Sequence, residues 1–338
     1  MNSRRAWLGA IYNGIDITDD ITPHLISWSH TDNMSGQADD LQITLEDRDH
    51  LWSSDWMPEE GATIWARIVR YNWDEEGTND STTLGSFDVD EVEIGGPPST
   101  ITIKALSVPE SSALRGQEKY RAWETTRLSL VAKDIASGAG LQFFYDTNDD
   151  PDYDRIEQSG ETDLAFLKRL CTNDGLALKV SDESIVIFDE AKYEAAEPVD
   201  TIVKTDRRIK SHSGRRTLNG VYQSCRVQYR DSVKNTTIIG RFLAPVPPNT
   251  SRVLFINEHV DSTAQAQILA RKRLREANKD AVTYSLTLVG ETMYAASQTL
   301  NLSGFGWFDG KYIIVQVTRG QQGGFESRLQ LRKCLEGY

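Results

Sequence analysis

The sequence predicts an α+β fold that is mainly β, and three observations lead to this class. Short alternations of apolar and polar residues, typical of strands with one solvent-exposed face, fill the first hundred residues and return in the last third. Between them, the chain changes to a helical period in two places. A single longer helix is predicted within the last third, at about residues 262–278.

The first region, residues 1–112, is predicted to contain about seven short strands and no long helix. Strict alternation marks residues 41–47, 61–71 and 100–108 as strands. Clusters of glycine, proline, asparagine and aspartate separate these runs and supply the conformations that turns need. Such a series of short strands folds as a barrel or a sandwich.

The middle region, residues 113–197, is predicted to be a small α/β domain with two helix-strand units. Apolar residues at helical spacing predict a helix over residues 125–137, which stops at Gly138 and is followed by a strand. A second helix is predicted over residues 162–172, and residues 174–190 have the pattern of a hairpin. Each helix is followed by glycine, leucine and a strand, a pattern that suggests internal duplication.

The last region, residues 198–338, is predicted to be a second β domain into which the helix at 262–278 is inserted. Ser262 and Gln265 have the spacing of a capping box, in which two side chains satisfy the first free N–H groups of a helix. Strands are predicted on both sides of the turn GQQGG, residues 320–324, so the chain closes with a hairpin.

Charge is distributed unevenly along the chain, whose net charge at pH 7 is −13. Residues 1–140 sum to −13 and residues 141–200 to −11, whereas residues 201–338 sum to +11. Acidic and basic parts of neighbouring copies attract each other, so this dipole favours ordered assembly. The alternative, in which both parts are only solvated, stays open. Nucleic-acid binding is not favoured, because the basic residues carry no motif of stacking aromatic side chains.

The stretch DTNDDPDYDRIE, residues 146–157, has carboxylates at the spacing of a calcium-binding loop. The candidate oxygen ligands are Asp146, Asn148, Asp150, Asp152, Asp154 and Glu157. The sixth position of such a loop needs glycine, but it holds Pro151, which cannot adopt a positive φ. A predicted strand also precedes the stretch where an EF-hand has a helix. We therefore interpret it as an acidic connection, solvated or facing a basic neighbour, and whether it binds an ion stays open.

No catalytic, cofactor-binding or metal-ligating residue is predicted. The motifs of serine hydrolases, zinc proteases, dithiol redox sites and phosphate-binding loops do not occur. No apolar run is long enough to cross a bilayer, so membrane insertion is not expected. Cys171, Cys225 and Cys334 are too few and too widely separated for a disulfide framework, and they suit a reducing compartment.

Four blocks of the sequence resemble the phage late control D protein family. They are residues 38–68, 113–141, 153–180 and 310–338, and they include LQITLEDRDHLW, LSLVAKDIASGAGL and DLAFLKRLCTNDGLALKV. The blocks follow in order over most of the chain, and residues 198–260 match least. Members of this family are hub proteins of contractile phage tails and related particles, and they are similar in fold to the amino-terminal part of VgrG spike proteins.

The resemblance implies two β-barrel domains similar to the tail tube protein, joined by a small α/β domain. It implies a homotrimer whose six tube-like domains form a ring between the sixfold tail tube and a threefold central spike. The expected partners are other copies of the chain, a tail tube or tube-end protein, other baseplate proteins and a separate spike protein. The spike is expected to be separate because VgrG chains continue into one, whereas this sequence ends at Tyr338.

The implied role is structural, without enzymatic activity or a cofactor, in the virion tail baseplate or a tail-like particle assembled in the host bacterial cytoplasm. DNA would pass through the lumen without specific binding, and we hypothesise that amino-terminal acidic side chains line the lumen and repel it. Two alternatives stay open: a tail-tip peptidoglycan hydrolase, and a tail module that binds glycan or calcium. Activity on peptidoglycan, or a thermal shift on ligand addition, would distinguish them from a bare hub.

Overall fold

The computed structural model describes residues 3–73, 75–108, 114–181, 184–231 and 235–338. The predicted boundary between residues 112 and 113 lies outside these described ranges. The chain is 49% strand and 17% helix, so the predicted mainly β class is confirmed. The division into three domains at the predicted residues stays a prediction.

The first β region is a sheet that curls around one apolar core. Its elements are β1 (Arg5–Tyr12), β2 (Ile15–Asp16), α1 (Thr18–Ile21), β3 (Leu25–Asn33), β4 (Asp40–Glu46), β5 (Thr63–Tyr71), β6 (Asn79–Gly95) and β7 (Thr100–Leu106). The strands are hydrogen-bonded in the order β3-β4-β7-β6-β5-β1-β2. In β4, Leu41, Ile43 and Leu45 are buried and the residues between them are half-exposed, as the alternation predicts. The strands predicted at residues 41–47, 61–71 and 100–108 are confirmed.

The middle α/β region packs two helices against two small sheets. Its elements are β8 (Glu118–Arg127), α2 (Leu128–Gly138), β9 (Gln142–Asp146), β10 (Asp152–Thr162), α3 (Asp163–Asn173), β11 (Ala177–Ser181), β12 (Ser184–Phe188) and α4 (Glu190–Ala195). β8 pairs with β10, and β12 lies between β11 and β9, antiparallel to the first and parallel to the second. The turn of the predicted hairpin lies at residues 182–183, outside the described part of the chain.

The two long helices of this region end in the same way. Gly140 and Gly175 have φ of +71° and +67°, a left-handed conformation that favours glycine. The N–H of Leu141 donates to the carbonyl of Ala136 at 2.9 Å, and that of Leu176 donates to the carbonyl of Cys171 at 2.8 Å. The repeated glycine-leucine pair in the sequence is therefore a repeated helix stop that directs the chain into a strand.

The first helix begins later than the sequence predicts. Residues 125–127 belong to β8, in which Thr126 pairs with Tyr153 and Arg127 with Asp152. Thr125 has φ of +48°, so the backbone there does not continue a right-handed helix. The helical periodicity includes these residues in the predicted helix. Their strand conformation depends on the pairing with β10, a contact that is distant in the sequence and leaves no local pattern.

The second β region contains a further part of the large sheet and an inserted layer. Its elements are β13 (Thr201–Val203), β14 (Ile209–Arg216), β15 (Ser224–Asp231), β16 (Thr236–Leu243), β17 (Val253–Ile256), α5 (Thr263–Asn278), β18 (Val282–Val289), β19 (Thr299–Ser303), β20 (Gly310–Gln321) and β21 (Phe325–Lys333). Strands β14, β18, β21 and β20 are neighbours in that order, and β19 pairs with β20 and with β13. The closing hairpin predicted across residues 320–324 is confirmed by β20 and β21.

Residues 221–278, here called the insertion, form a layer with its own core. Strands β16, β15 and β17 make a three-stranded sheet, and α5 packs on one face of it. The predicted cap at Ser262 is confirmed, but Gln265 reaches back to the residue before the N-cap and not to the N-cap itself. The side chain of Ser262 accepts from the N–H of Gln265 at 3.2 Å, and the side chain of Gln265 accepts from the N–H of Asp261 at 2.6 Å. The sequence predicts the helix, but not that three strands leave the main sheet to cover it.

Gly240 is the point of closest approach between α5 and its sheet. A Cβ atom added there would lie 2.2 Å from the backbone carbonyl carbon of Ala266. The backbone fixes the positions of both atoms, so a change of rotamer cannot relieve the contact.

We expect Gly240→Ala to lower the free energy of unfolding by about 2 kcal/mol or more, the usual cost of forcing atoms into a packed interface. Gly138→Ala, at the end of α2 where an added Cβ meets nothing within 4 Å, is the matched control and should change stability by less than about 0.5 kcal/mol. Urea unfolding of both variants measures the difference. Equal stability of the two variants would contradict the close packing of α5.

Candidate assembly site

The two β regions are joined into one sheet by the pairing of β3 with β20. Six residue pairs are in register, from Asn33 opposite Gln316 to Trp28 opposite Gln321. The described strands of both regions thereby form one sheet of 13 strands. Backbone hydrogen bonds fix both the distance and the orientation of paired strands, so the two regions form one unit at this seam.

An aromatic side chain and a tight glycine reinforce the seam. Phe325, at the start of β21, is 5% exposed and belongs to the core of the first β region. Its ring lies 5.9 Å from that of Trp28 and 6.0 Å from that of Trp73. Gly290 packs so closely under Trp73 that an added Cβ would lie 1.8 Å from the indole. The guanidinium of Arg70 donates to the Gly290 carbonyl at 2.9 Å.

A buried polar cluster ties the middle region to the same seam. Lys179 in β11 forms ion pairs with Asp32 at 2.6 Å and Asp39 at 3.3 Å, and it donates to the carbonyl of Asn33 at 2.7 Å. Burial raises the pKa of Asp39 to about 6, even though Lys179 and the N–H of Asn33 favour its ionised form. The cluster therefore contains two carboxyl groups with opposite behaviour. Asp39 is costly to ionise, whereas the pKa of Asp32 is lowered in spite of burial.

Buried histidine and arginine side chains complete this cluster between β3 and β20. Burial lowers the pKa of His30 to about 3, and the positive charge of Arg319 lowers it further, so the ring is neutral. Arg319 is 5% exposed and donates to the carbonyl of Tyr294. Burial lowers the pKa of Arg319, and the nearby carboxylates of Asp32, Asp39 and Glu291 oppose this effect.

A second buried ion network fastens α4 to the end of β21 and to α5. Arg332 is 1% exposed and pairs with Glu190 at 2.7 Å and with Glu194. Arg275 in α5 reaches Glu194 at 2.7 Å, and Lys279 reaches Glu190 at 3.4 Å. Because a buried charge without its partner is strongly destabilising, this network fixes how the middle region and the insertion sit on the sheet.

One face of the shared sheet carries small uncharged polar side chains. Residues that are directly opposite in neighbouring strands point to the same face, so the register defines its members. This face, here called the hydroxyl face, contains the uncharged residues Ser27, Ser29, Thr31, Gln42, Thr44, Thr102, Ser211, Ser213, Ser285, Gln316, Thr318 and Gln330, and among them the charged residues Asp40, Lys104 and Arg328. The hydroxyl oxygens of Thr44 and Thr102 lie 3.2 Å apart. The face runs without interruption across both β regions.

Charged side chains lie within the hydroxyl face as well as at its borders: Asp40 is opposite Thr31, Lys104 is opposite Gln42, and Arg328 is opposite Thr318. Lys104 in β7 pairs with Glu91 at 3.0 Å and with Glu93 at 2.7 Å, both in β6. At the other side, Lys210 pairs with Glu326 at 2.6 Å. These carboxylates compensate Lys104 and Lys210, whereas Arg328 is exposed in the middle of the face.

The acidic stretch at residues 146–157 is only in part a connection. Residues from Asp152 onward belong to β10, which corrects the interpretation of the whole stretch as a linker. The carboxylates point to separate partners: Asp146 to Lys192 and Tyr193, Asp149 to Lys272, Asp150 to the N–H and hydroxyl of Ser129, Asp152 to Arg127, and Glu157 to Arg155. A strand spreads alternate side chains to opposite faces, so these oxygens do not converge as in a calcium loop.

Metal clusters and membrane-spanning helices are not found in the part of the chain that the structure describes. No three His, Cys, Asp or Glu residues there lie close enough together to hold a metal ion. No helix there is long and apolar enough to cross a membrane. The cysteines are free, with Cys171 and Cys225 buried and Cys334 half-buried.

A mainly β chain whose two β regions share one sheet has the fold of phage tail proteins. It superimposes on the 43 kDa tail protein of prophage MuSo2 from Shewanella oneidensis with a TM-score of 0.76 at 15% identity, over 98% of this chain and 99% of the other. For a tail protein from Neisseria meningitidis MC58 the TM-score is 0.72 at 13% identity, over 97% and 96% of the two chains. These similarities establish the fold.

Residues 89–324 match the protein family described as phage tail baseplate hub (GPD). The chain is also 32% identical over 173 residues to a probable baseplate hub protein of Escherichia phage 186, and the match covers 50% of this chain and 41% of that protein. The chain thus spans about two fifths of the length of this curated relative. It belongs to the phage tail baseplate hub family, and the predicted family and its place in the virion tail baseplate are confirmed.

Removal of the Phe325 ring should weaken the seam between the two β regions. We expect Phe325→Ala to lower the free energy of unfolding by about 3 to 4 kcal/mol, because it empties a buried aromatic site between Trp28 and Trp73. Val289→Ala, at a half-exposed position nearby, is the control and should cost less than about 1 kcal/mol. Urea unfolding followed by tryptophan fluorescence measures both. A loss below about 1 kcal/mol for Phe325→Ala would show that the ring does not hold the seam.

The raised pKa of Asp39 gives a pH dependence of known sign. A carboxyl group whose folded-state pKa is raised binds its proton more tightly in the folded protein, so it stabilises the fold at low pH. That contribution is lost as pH rises from about 4 to above 6. Asp39→Asn stays neutral, so the stability of the variant relative to the wild type should increase by about 2 kcal/mol over this window.

Urea unfolding of the wild type and of Asp39→Asn at pH 4, 5, 6, 7 and 8 measures this difference. Asp49→Asn makes the same substitution at an exposed position and is the matched control. If the difference in the free energy of unfolding between the wild type and Asp39→Asn stays constant from pH 4 to pH 8, burial does not control the ionisation of Asp39.

Proposed function

We propose that three copies of this chain form the closed hub ring of a tail baseplate, to which each copy contributes two tube-like β regions. The observation that carries the proposal is the single sheet shared by both regions, which makes each chain one rigid third of a pseudo-sixfold ring. Head-to-tail contacts that close after three copies produce such a ring. Family membership supports the structural role.

The free edge of β14 supports an assembled state. Within the described residues, β14 pairs with β18 on one side and with no strand on the other. Seven of its eight residues, from Lys210 to Arg216, are exposed. An eight-residue edge with unpaired N–H and carbonyl groups is a template for association between chains.

We further propose that the hydroxyl face lines the channel of this ring. Strong binding of DNA depends on lysine and arginine side chains that displace counterions, and this face carries few of them: Arg328, and Lys104, which Glu91 and Glu93 compensate. Serine and threonine hydroxyls remain hydrated without attracting the phosphates, so the passing DNA can slide. Asp40, Glu91 and Glu93 also lie on this face, so the hypothesis that amino-terminal acids line the lumen stays open.

The ends of the ring would contact a tail tube or tube-end protein and a separate central spike, with other baseplate proteins around it. We propose no enzymatic activity for the chain. This proposal is based on Asp39, whose pKa is strongly raised. Its carboxyl group is only 8% exposed, accepts a hydrogen bond from the N–H of Asn33 and pairs with Lys179. A hydrolase acid would instead face a cleft.

The test is the solution mass of the purified protein by light scattering at increasing concentration. The proposal predicts a mass of about 114 kDa, three times the chain mass of 38.0 kDa. It also predicts that moderate salt weakens the assembly, because opposite charges of neighbouring copies contribute to it. A mass of 38 kDa at every concentration, or an even-numbered oligomer, would contradict the ring.

A further inference from the structure

The three-stranded sheet of the insertion has one covered face and one bare face. Cys225, Val227 and Leu254 point towards α5 and form the core of the insertion with Ala266 and Ala270. Side chains alternate along a strand, so the residues between them point away from α5. No element in the described part of the chain packs on that outer face.

The bare face combines exposed apolar side chains with arginines. We call it the basic face and define it as Arg226, Arg230, Ile239, Arg241, Leu243, Val253 and Phe255. Phe255 is 70% exposed and Leu243 is 58% exposed. A contiguous exposed apolar patch bordered by charge marks an interaction site.

The charges of the basic face are not balanced within the chain. Arg226 lies directly opposite Arg241 in the register of β15 and β16, an arrangement in which like charges repel. The Nε atom of Arg226 is buried and has no hydrogen-bond partner among the described residues. The outward positions of the three strands carry no carboxylate, and none of the three arginines forms an ion pair within the described chain. The face is therefore arranged for an acidic partner from outside.

The first β region carries a surface of opposite charge and similar shape. The loop at residues 51–60, here called the acidic loop, exposes Trp56 and Met57 between the carboxylates of Asp55, Glu59 and Glu60. These carboxylates form no ion pair within the described chain, and no lysine or arginine occurs in the sequence between Arg48 and Arg67. Trp52 is buried and holds the loop: its backbone N–H donates to the Asp47 carboxylate at 2.9 Å, and its ring packs against that of Trp56.

We propose that the acidic loop of one copy docks on the basic face of the next copy around the ring. Trp56 and Met57 would cover Phe255 and Leu243, and the three carboxylates would pair with Arg226, Arg230 and Arg241. The inference rests on the proposed trimer and names the surfaces that hold it. A contact between two different surfaces of one chain is head-to-tail, which is the type that closes into a ring.

A second copy fits the basic face better than a nucleic acid does. A single strand would require a row of aromatic side chains on which successive bases stack, and the face has one aromatic ring, Phe255. The chain itself supplies an acidic surface with apolar side chains at its centre, which satisfies both properties of the face. Binding of single-stranded DNA is therefore a competing outcome of the test.

The experiment uses full-length chains with reversed charges. The basic-face variant is Arg226→Glu with Arg241→Glu, the loop variant is Asp55→Lys with Glu59→Lys and Glu60→Lys, and the combined variant carries all five changes. Arg271→Glu, at an exposed position of α5 away from the basic face, is the control. Circular dichroism melting verifies that every variant is folded, and sedimentation velocity over a concentration series measures the dissociation of the trimer.

Each variant alone places like charges opposite each other, so its trimer should dissociate at a concentration at least about tenfold higher than the wild type. The combined variant restores opposite charges and should return to within about threefold of the wild type. Arg271→Glu should dissociate like the wild type. Recovery by reversal on both surfaces cannot result from a fold defect, since the combined chain contains every substitution.

Four outcomes would overturn the inference. If the trimer of the basic-face variant is as stable as that of the wild type, the ring remains but other contacts hold it together. A combined variant that stays dissociated would show that the two surfaces do not meet. A wild-type monomer would overturn the trimer as well, and binding of a 20-nucleotide single-stranded DNA that depends on Arg226 and Arg241 would assign the face to nucleic acid.

Discussion

The pairing of β3 with β20 is the contact on which the rest of the structure depends. It joins residues that are nearly three hundred positions apart in the sequence, so the chain must bring its two ends together before the sheet can form. Once formed, the pairing places Phe325 in the first core and Gly290 under Trp73. It also aligns the rows of serine and threonine into one continuous face. Without it the chain would be two independent β regions with no fixed angle between them.

Two buried charge clusters then set the position of the middle region. Lys179 connects it to the seam, and Arg332 connects α4 to the end of the sheet. Buried ion pairs contribute little net stability, because burial costs about as much as the attraction returns, but a misplaced partner is expensive. We therefore conclude that these clusters mainly fix the orientation of the middle region relative to the shared sheet.

Much of the local structure could be predicted from the sequence, and most of the long-range structure could not. Alternation located β4, β5 and β7, and helical spacing with Ser262 located α5, because these patterns depend on neighbours in the chain. The strands β8 and β10 were missed, since their charged outer faces mask the alternation of Trp123 and Ile156. The seam, the hydroxyl face and the basic face depend on register between distant strands, which no local pattern contains. The family resemblance implies a ring, which stays a prediction, but it does not indicate which surfaces of the chain would form it.

The central claim is that one chain supplies two of the six positions of a hub ring through a shared sheet. End-on views of the isolated assembly by electron microscopy, averaged without imposed symmetry, test it most directly. The account predicts threefold averages with six similar lobes around an open central channel. Averages with three lobes, twofold symmetry or no channel would contradict it.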